Sequence, residues 1–130
     1  DTRLTPLRRS VLELVLESVA PVGAYTVLER LQEKLKRRVA PPTVYRALDF
    51  LLRQGLIHRI ERFNAFVACP HPGEGHRAQF LICTCCGLVR ELDDAPVDEA
   101  IDRAAKRAGF AIERGLVEIE GRCPECCANR

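Results

Sequence analysis

Two Cys-x-x-Cys pairs near the carboxyl end constrain the fold of this chain more than any other feature of its sequence. Cys83 and Cys86 form the first pair, and Cys123 and Cys126 form the second. Two such pairs can place four thiolates tetrahedrally around one zinc ion, with Zn–S bonds of about 2.3 Å. The residues around them offer few apolar side chains for a core, so a bound metal would decide whether this part folds. The sequence therefore predicts a structural zinc site held by these four cysteines.

The total number of cysteines argues against a disulfide scaffold. The chain has 130 residues and seven cysteines, and an odd number with no visible secretion signal is typical of reduced thiols in a cytoplasmic protein. Cys85 and Cys127 adjoin the two pairs and are interpreted as spare thiols. The alternatives are that one of them replaces a neighbouring ligand, or that Cys85, Cys69 or Cys127 acts as a redox switch.

Charge divides the chain into two parts of opposite sign. Residues 1–70 carry 12 Lys/Arg against 7 Asp/Glu, whereas residues 71–130 carry 8 against 11. This asymmetry, together with a Pro- and Gly-containing stretch, predicts a basic domain over residues 1–69, a hinge over 70–77 and an acidic domain over 78–130. The basic half suits a polyanionic partner such as DNA. No apolar run approaches the length of a membrane span, so no membrane partner is expected.

The first half has the pattern of a winged helix-turn-helix. Thr5 and Pro6 are typical of the first turn of a helix, and Gly55 is a natural helix end. Apolar residues at helical spacing predict three helices, and two short strands joined by three turn residues predict a hairpin. The second and third helices are predicted over residues 24–37 and 41–54, and the strands over 56–61 and 65–69.

Polar and cationic side chains on the second and third helices are candidates for DNA contacts. A recognition helix presents its N-terminal side chains to base edges, while nearby cations hold phosphates. Arg46 can read a guanine or bind a phosphate, and the Tyr45 ring can meet a thymine methyl group. The full set of candidates is Thr43, Tyr45, Arg46, Arg53, Lys36 and Arg37.

The second half is predicted to be a small αβ module. Strands are predicted over residues 79–83 and 88–92, a helix over 96–108, and a long strand over 110–120 that is interrupted at Gly115. The fold class is therefore α+β, a winged helix-turn-helix followed by a small αβ dimerisation domain with a four-cysteine zinc site. A module of this size needs a metal, a dimer interface or both to be stable.

Both halves resemble the ferric uptake regulator superfamily of bacterial metal-dependent repressors. Residues 41–51 with 54–56 resemble the recognition helix of that family, and residues 80–87 with 123–126 resemble its structural zinc knuckles. The resemblance covers nearly the whole chain in the right order. Within the superfamily, the sequence looks most like the zinc uptake regulators.

The resemblance implies a second, sensing zinc site. In the zinc-regulator pattern its ligands are a histidine from the wing, a cysteine ending the wing, a histidine from the hinge and a glutamate from the next strand. These roles fall on His58, Cys69, His76 and Glu91, whereas His71 is interpreted as a hinge-surface residue. Two imidazoles, one thiolate and one carboxylate make a closed, neutral site that favours zinc over harder ions. Two zinc ions per chain are therefore expected.

The resemblance also implies a function. We expect a zinc-responsive repressor that binds an inverted-repeat DNA operator as a homodimer, controls zinc uptake genes and has no small-molecule substrate. The alternative within the superfamily is a regulator that senses iron, nickel or peroxide, although the histidine-rich run usual in iron and peroxide sensors is absent. A zinc deaminase would require His-x-Glu and Pro-Cys-x-x-Cys motifs, and the sequence contains neither, so no enzymatic activity is expected.

Overall fold

The computed structural model describes residues 3–69 and 77–128 of the chain. The chain divides into two compact units, Asp1–Gly75 and His76–Arg130. The finer division into residues 1–69, 70–77 and 78–130 stays a prediction, because the proposed hinge falls almost entirely outside the described residues.

Three helices form the greater part of the first unit. The Thr5 hydroxyl accepts a hydrogen bond from the Arg8 main-chain N–H and so caps the first helix, as the sequence indicates. The second helix ends two residues earlier than predicted, because Lys36 adopts a left-handed conformation with φ of 55°. The helices are α1 (Pro6–Glu17), α2 (Ala24–Leu35) and α3 (Pro41–Arg53).

A two-stranded hairpin completes the first unit as its wing. Strand β1 (Ile57–Ile60) pairs antiparallel with β2 (Ala65–Ala68), so that Ile57 lies opposite Ala68. Asn64, with φ of 49°, supplies the left-handed residue that the turn requires. Val22 forms an isolated antiparallel bridge with Phe66, which ties the wing to the segment before α2.

The core of the first unit lies where the three helices meet the wing. Phe50 and Leu51 on α3 are buried with Leu31 on α2, and Ile57 and Phe66 extend the same cluster into the hairpin. The guanidinium of Arg8 lies 3.7 Å from the centre of the Phe50 ring and covers its outer side. This core fixes which side of α3 faces inward and therefore which side faces solvent.

The second unit is a three-stranded sheet with one long helix and one short helix. Its elements are β3 (Arg77–Cys83), β4 (Val89–Glu91), α4 (Ala95–Arg107), β5 (Gly115–Gly121) and α5 (Pro124–Ala128). The strand order is β4-β3-β5, in which β4 is antiparallel and β5 parallel to β3. The mixture of helix and sheet confirms the α+β class.

The prediction of one long strand over residues 110–120 was wrong in its first half. Strand β5 begins only at Gly115, which pairs with Arg77, the first residue of β3. Within the part of the chain that the structure describes, residues 110–114 pair with no strand, and Phe110 is exposed. Helix α4 ends as expected, since Gly109 takes the left-handed conformation with φ of 82°.

The core of the second unit is thin. Phe80 and Ile82 on β3 are fully buried, whereas no residue of α4 is buried in the described part of the chain. Gln79 is also buried, and its side-chain amide donates a hydrogen bond to Asp98 on α4. Nothing in the described residues forms a helix long and apolar enough to cross a membrane.

Candidate metal centres and nucleic-acid interface

Four cysteine thiols converge at one end of the sheet in the second unit. The Sγ atoms of Cys83, Cys86, Cys123 and Cys126 all lie within 4.8 Å of one another. Cys83 and Cys126 are 3.6 Å apart, and Cys86 and Cys123 are 3.7 Å apart. A tetrahedron of sulfur atoms around zinc with Zn–S bonds of about 2.3 Å has S–S edges of about 3.8 Å. The four thiols therefore fit a single zinc ion, as the sequence predicts.

Main-chain hydrogen bonds hold the two pairs in place. The first pair forms a tight turn after β3, in which the Cys86 N–H donates to the Cys83 sulfur at 3.4 Å and the Gly87 N–H to the Cys83 carbonyl at 3.0 Å. The Thr84 N–H donates to the Gly121 carbonyl at 2.8 Å, which joins this turn to the end of β5. Because β5 leads directly to Cys123, this bond fixes the distance between the two pairs.

The close approach of the thiols shifts their pKa values in both directions. Main-chain N–H groups of Cys86 and Cys123 lower the pKa of Cys83 to about 5. Hydrogen bonds with the neighbouring thiols of Cys123 and Cys83 raise the pKa of Cys126, because they favour its protonated form. Zinc in this position would stabilise all four thiolates at once and release the protons that remain.

The two cysteines outside the tetrahedron occupy different surroundings. The Cys127 thiol donates to the Arg122 carbonyl at 3.5 Å. Cys85 lies within the turn between Cys83 and Cys86. Cys85 and Cys127 are both exposed.

Two candidate ligands of the sensing site lie side by side on the wing. His58 pairs with Val67, and Cys69 follows two residues later, so both side chains project from the same face of the hairpin. A ring nitrogen of His58 and the Cys69 sulfur lie within 4.8 Å of each other. Burial lowers the pKa of His58 below its usual value of 6.5, which favours the neutral imidazole that binds metals.

The other candidate ligands of this site belong to the second unit or fall outside the described residues. Glu91 is the last residue of β4, is half-buried and pairs with Phe80 on β3. His76 and His71 lie outside the described residues. The assignment of His58, Cys69, His76 and Glu91 as one ligand set therefore stays a prediction.

The exposed side of α3 carries most of the candidate DNA-contacting residues. Tyr45, which is 55% exposed, lies on it with Arg46 and Arg53, and Thr43 is half-buried at its edge. The opposite side of α3 packs into the core. Lys36 and Arg37, at the end of α2, are also exposed. All six residues remain candidates for contacts with DNA.

A three-helix unit with a hairpin wing, joined to an αβ unit with a tetrahedral thiol cluster, defines a winged-helix protein with a metal-binding second unit. The sequence profile of the ferric uptake regulator family matches residues 1–120. The chain belongs to this family of regulators.

Among individual proteins, those similar to this chain include zinc regulators. The zinc uptake regulation protein of Escherichia coli (strain K12) is 38% identical over 127 residues, which span 97% of this chain and 74% of that protein. A crystal structure of holo XcZur is 43% identical with a TM-score of 0.83, covering 97% of this chain and 87% of that one. A zinc uptake regulator complexed with zinc and DNA is 38% identical with a TM-score of 0.87, covering 98% and 85%.

Proposed function

We propose that this chain is a zinc-responsive transcriptional repressor of the bacterial cytoplasm. In this proposal it binds an inverted-repeat DNA operator as a homodimer when zinc fills its sensing site, and it controls zinc uptake genes. The observation that carries the proposal is its similarity, at 38% identity and a TM-score of 0.87, to a zinc uptake regulator complexed with zinc and DNA. No catalytic reaction is part of the proposal.

Two zinc ions per chain have different tasks in this proposal. The ion held by Cys83, Cys86, Cys123 and Cys126 is structural, because four thiolates leave no open position for a substrate or water. The second ion, held by His58, Cys69, His76 and Glu91, is the signal. Since these four ligands come from separate segments of the chain, zinc stabilises only the arrangement that brings them together.

DNA binding is assigned to the exposed side of α3. In a winged helix this helix enters the major groove, so Tyr45 and Arg46 would meet base edges. Arg53, Lys36 and Arg37 would bind phosphates, and Thr43 would position the first turn of α3. The excess of Lys and Arg in residues 1–70 supports this assignment, because phosphate neutralisation supplies much of the affinity for DNA.

The homodimer is assigned to apolar side chains that the second unit leaves exposed. Ile119 on β5 is 47% exposed, and Leu81 and Leu88 are also open to solvent. Leu81, Leu88 and Ile119 line a cavity of about 260 Å³ that reaches Cys123. Contiguous apolar surface of this kind is typical of a protein interface. A dimer is also what an inverted-repeat operator requires.

The experiment that tests the proposal combines metal counting with DNA binding. Zinc per chain is measured by elemental analysis, and operator binding by fluorescence anisotropy, before and after mild chelation. We expect two zinc ions, of which chelation removes one and abolishes operator binding, and added zinc restores both. Restoration of binding by Fe(II) at physiological concentration but not by zinc would instead identify an iron regulator.

A matched pair of histidine variants tests the ligand assignment. His58→Ala is expected to remain folded, to bind one zinc ion and to lose its response to zinc. His71→Ala, which removes a histidine interpreted as a surface residue, is expected to behave like the unaltered protein. If His58→Ala still binds the operator only when zinc is added, His58 is not a ligand of the sensing site.

A further inference from the structure

An acidic residue lies in the middle of the α3 surface that is assigned to DNA. Asp49 is four residues after Tyr45, three after Arg46 and four before Arg53, and all four side chains are exposed. Residues three and four apart share one side of a helix. The buried residues Val44, Leu48 and Leu51 occupy the opposite side. Asp49 therefore belongs to the centre of the surface that would face the major groove.

An aspartate at this position does not stabilise the first unit. Asp49 is exposed, so it adds nothing to the core, and it lies in the third turn of α3, beyond the reach of the helix N-terminal dipole. Within the described ranges 3–69 and 77–128, its carboxylate forms no ion pair or hydrogen bond with Arg46, Arg53 or any other residue. Aspartate is also among the poorer helix formers.

A carboxylate on this surface can contact only some groups of DNA favourably. It repels phosphates, so it opposes the contribution that the neighbouring arginines make to affinity. In the major groove, guanine presents only acceptors to it, and adenine presents a donor beside the N7 acceptor. Cytosine presents the N4 amino group, from which an aspartate can accept a hydrogen bond without an adjacent acceptor that would repel it.

We infer that Asp49 is a specificity-determining residue that accepts a hydrogen bond from the N4 amino group of one cytosine in each half of the operator. This inference rests on the proposed function, because it requires α3 to lie in the major groove. At the position that Asp49 faces, cytosine is preferred over other bases about 10-fold. The carboxylate lowers affinity for DNA in general and raises discrimination between sequences.

The test is the selection of bound sequences from a randomised DNA duplex by the zinc-loaded protein. The unaltered protein is compared with Asp49→Ala, Asp49→Asn and Glu17→Ala. Glu17→Ala removes the same charge from an exposed position on α1 instead of α3 and serves as the control. Thermal unfolding and zinc content confirm that each variant is folded.

The expected result is a change at a single position of the selected sequence in each half-site. Asp49→Ala loses the cytosine preference there and leaves the other positions unchanged. Asp49→Asn shifts the preference to adenine, with which an asparagine forms two hydrogen bonds. Glu17→Ala selects the same sequence as the unaltered protein.

Two results would overturn the inference and are distinguishable. If Asp49→Ala selects the same sequence as the unaltered protein, Asp49 is only a solvent-exposed charge, while the proposed function stands. If the unaltered, zinc-loaded protein selects no sequence at all, the proposed function fails and the inference fails with it.

Discussion

Replacing Cys126 by serine is expected to unfold the second unit and to leave the first unit folded. The described core of the second unit rests on two fully buried apolar side chains, Phe80 and Ile82. Burial of each contributes about 1.5–3 kcal/mol. A structural zinc site contributes about 10–16 kcal/mol of apparent binding free energy at neutral pH. Because the metal outweighs the core by this margin, a site that has lost one thiolate cannot keep the unit folded.

Hydrogen exchange measured by mass spectrometry reports the stability of each unit separately within one sample. In Cys126→Ser we expect the amides of β3 and β5 to exchange at nearly unfolded rates, and those of α1 and α3 to stay protected. Zinc content should fall by one ion per chain. Cys127→Ser makes the same chemical change one residue later, outside the tetrahedron, and should keep both the zinc and the protection.

The reasoning would be refuted by a Cys126→Ser protein that has lost the zinc and still protects the amides of β5. That result would mean that apolar contacts hold the second unit without the metal, and the comparison of magnitudes would be wrong. Equal loss of protection in Cys127→Ser would mean that any change in this segment unfolds the unit, whether or not it touches a ligand.

Three further predictions follow from individual contacts. Arg46→Ala should weaken operator binding by about 1–3 kcal/mol in a fluorescence anisotropy titration, and unchanged affinity would exclude a base contact by Arg46. Phe50→Ala should destabilise the first unit by about 3–5 kcal/mol in urea unfolding, since its ring is 2% exposed; a loss under about 1 kcal/mol would contradict the packing described. Burial lowers the pKa of His58 below 6.5, so the unfolded state binds protons more readily. The metal-free first unit should therefore lose stability as the pH falls below 6.5, and His58→Gln should reduce this slope.

The helices and the hairpin of the first unit could be predicted from sequence because local chemistry determines them. Pro6 and Pro41 start helices where the sequence indicates, and Gly55 follows the end of α3 with φ of 72°. The apolar spacing of α3 also identifies its buried side, although Phe50 joins that side unexpectedly. Its burial depends on Arg8 covering the ring from another helix. A contact of that kind is not visible in the periodicity of one segment.

The second unit could be predicted less fully because pairing between distant strands determines it. The sequence identifies the four cysteines that converge in the structure, because their spacing has a direct chemical meaning. It does not reveal that β5 begins at Gly115, since that boundary is set by pairing with β3, which is distant in the sequence. It also does not reveal the short helix Pro124–Ala128, which contains Cys126 and begins just after Cys123.

The chemistry of the two proposed zinc sites explains why one chain would need both. Four thiolates bind zinc so strongly that the site stays filled over a wide range of zinc concentrations, so occupancy there carries no signal. A regulator needs a second site whose occupancy changes within the physiological range. In the proposed second site His58 would supply a neutral imidazole, and a set with one thiolate, two imidazoles and one carboxylate carries less charge than four thiolates. The thiolate site can therefore keep the second unit folded while the mixed site fills and empties, which separates the stability of the protein from its response to zinc.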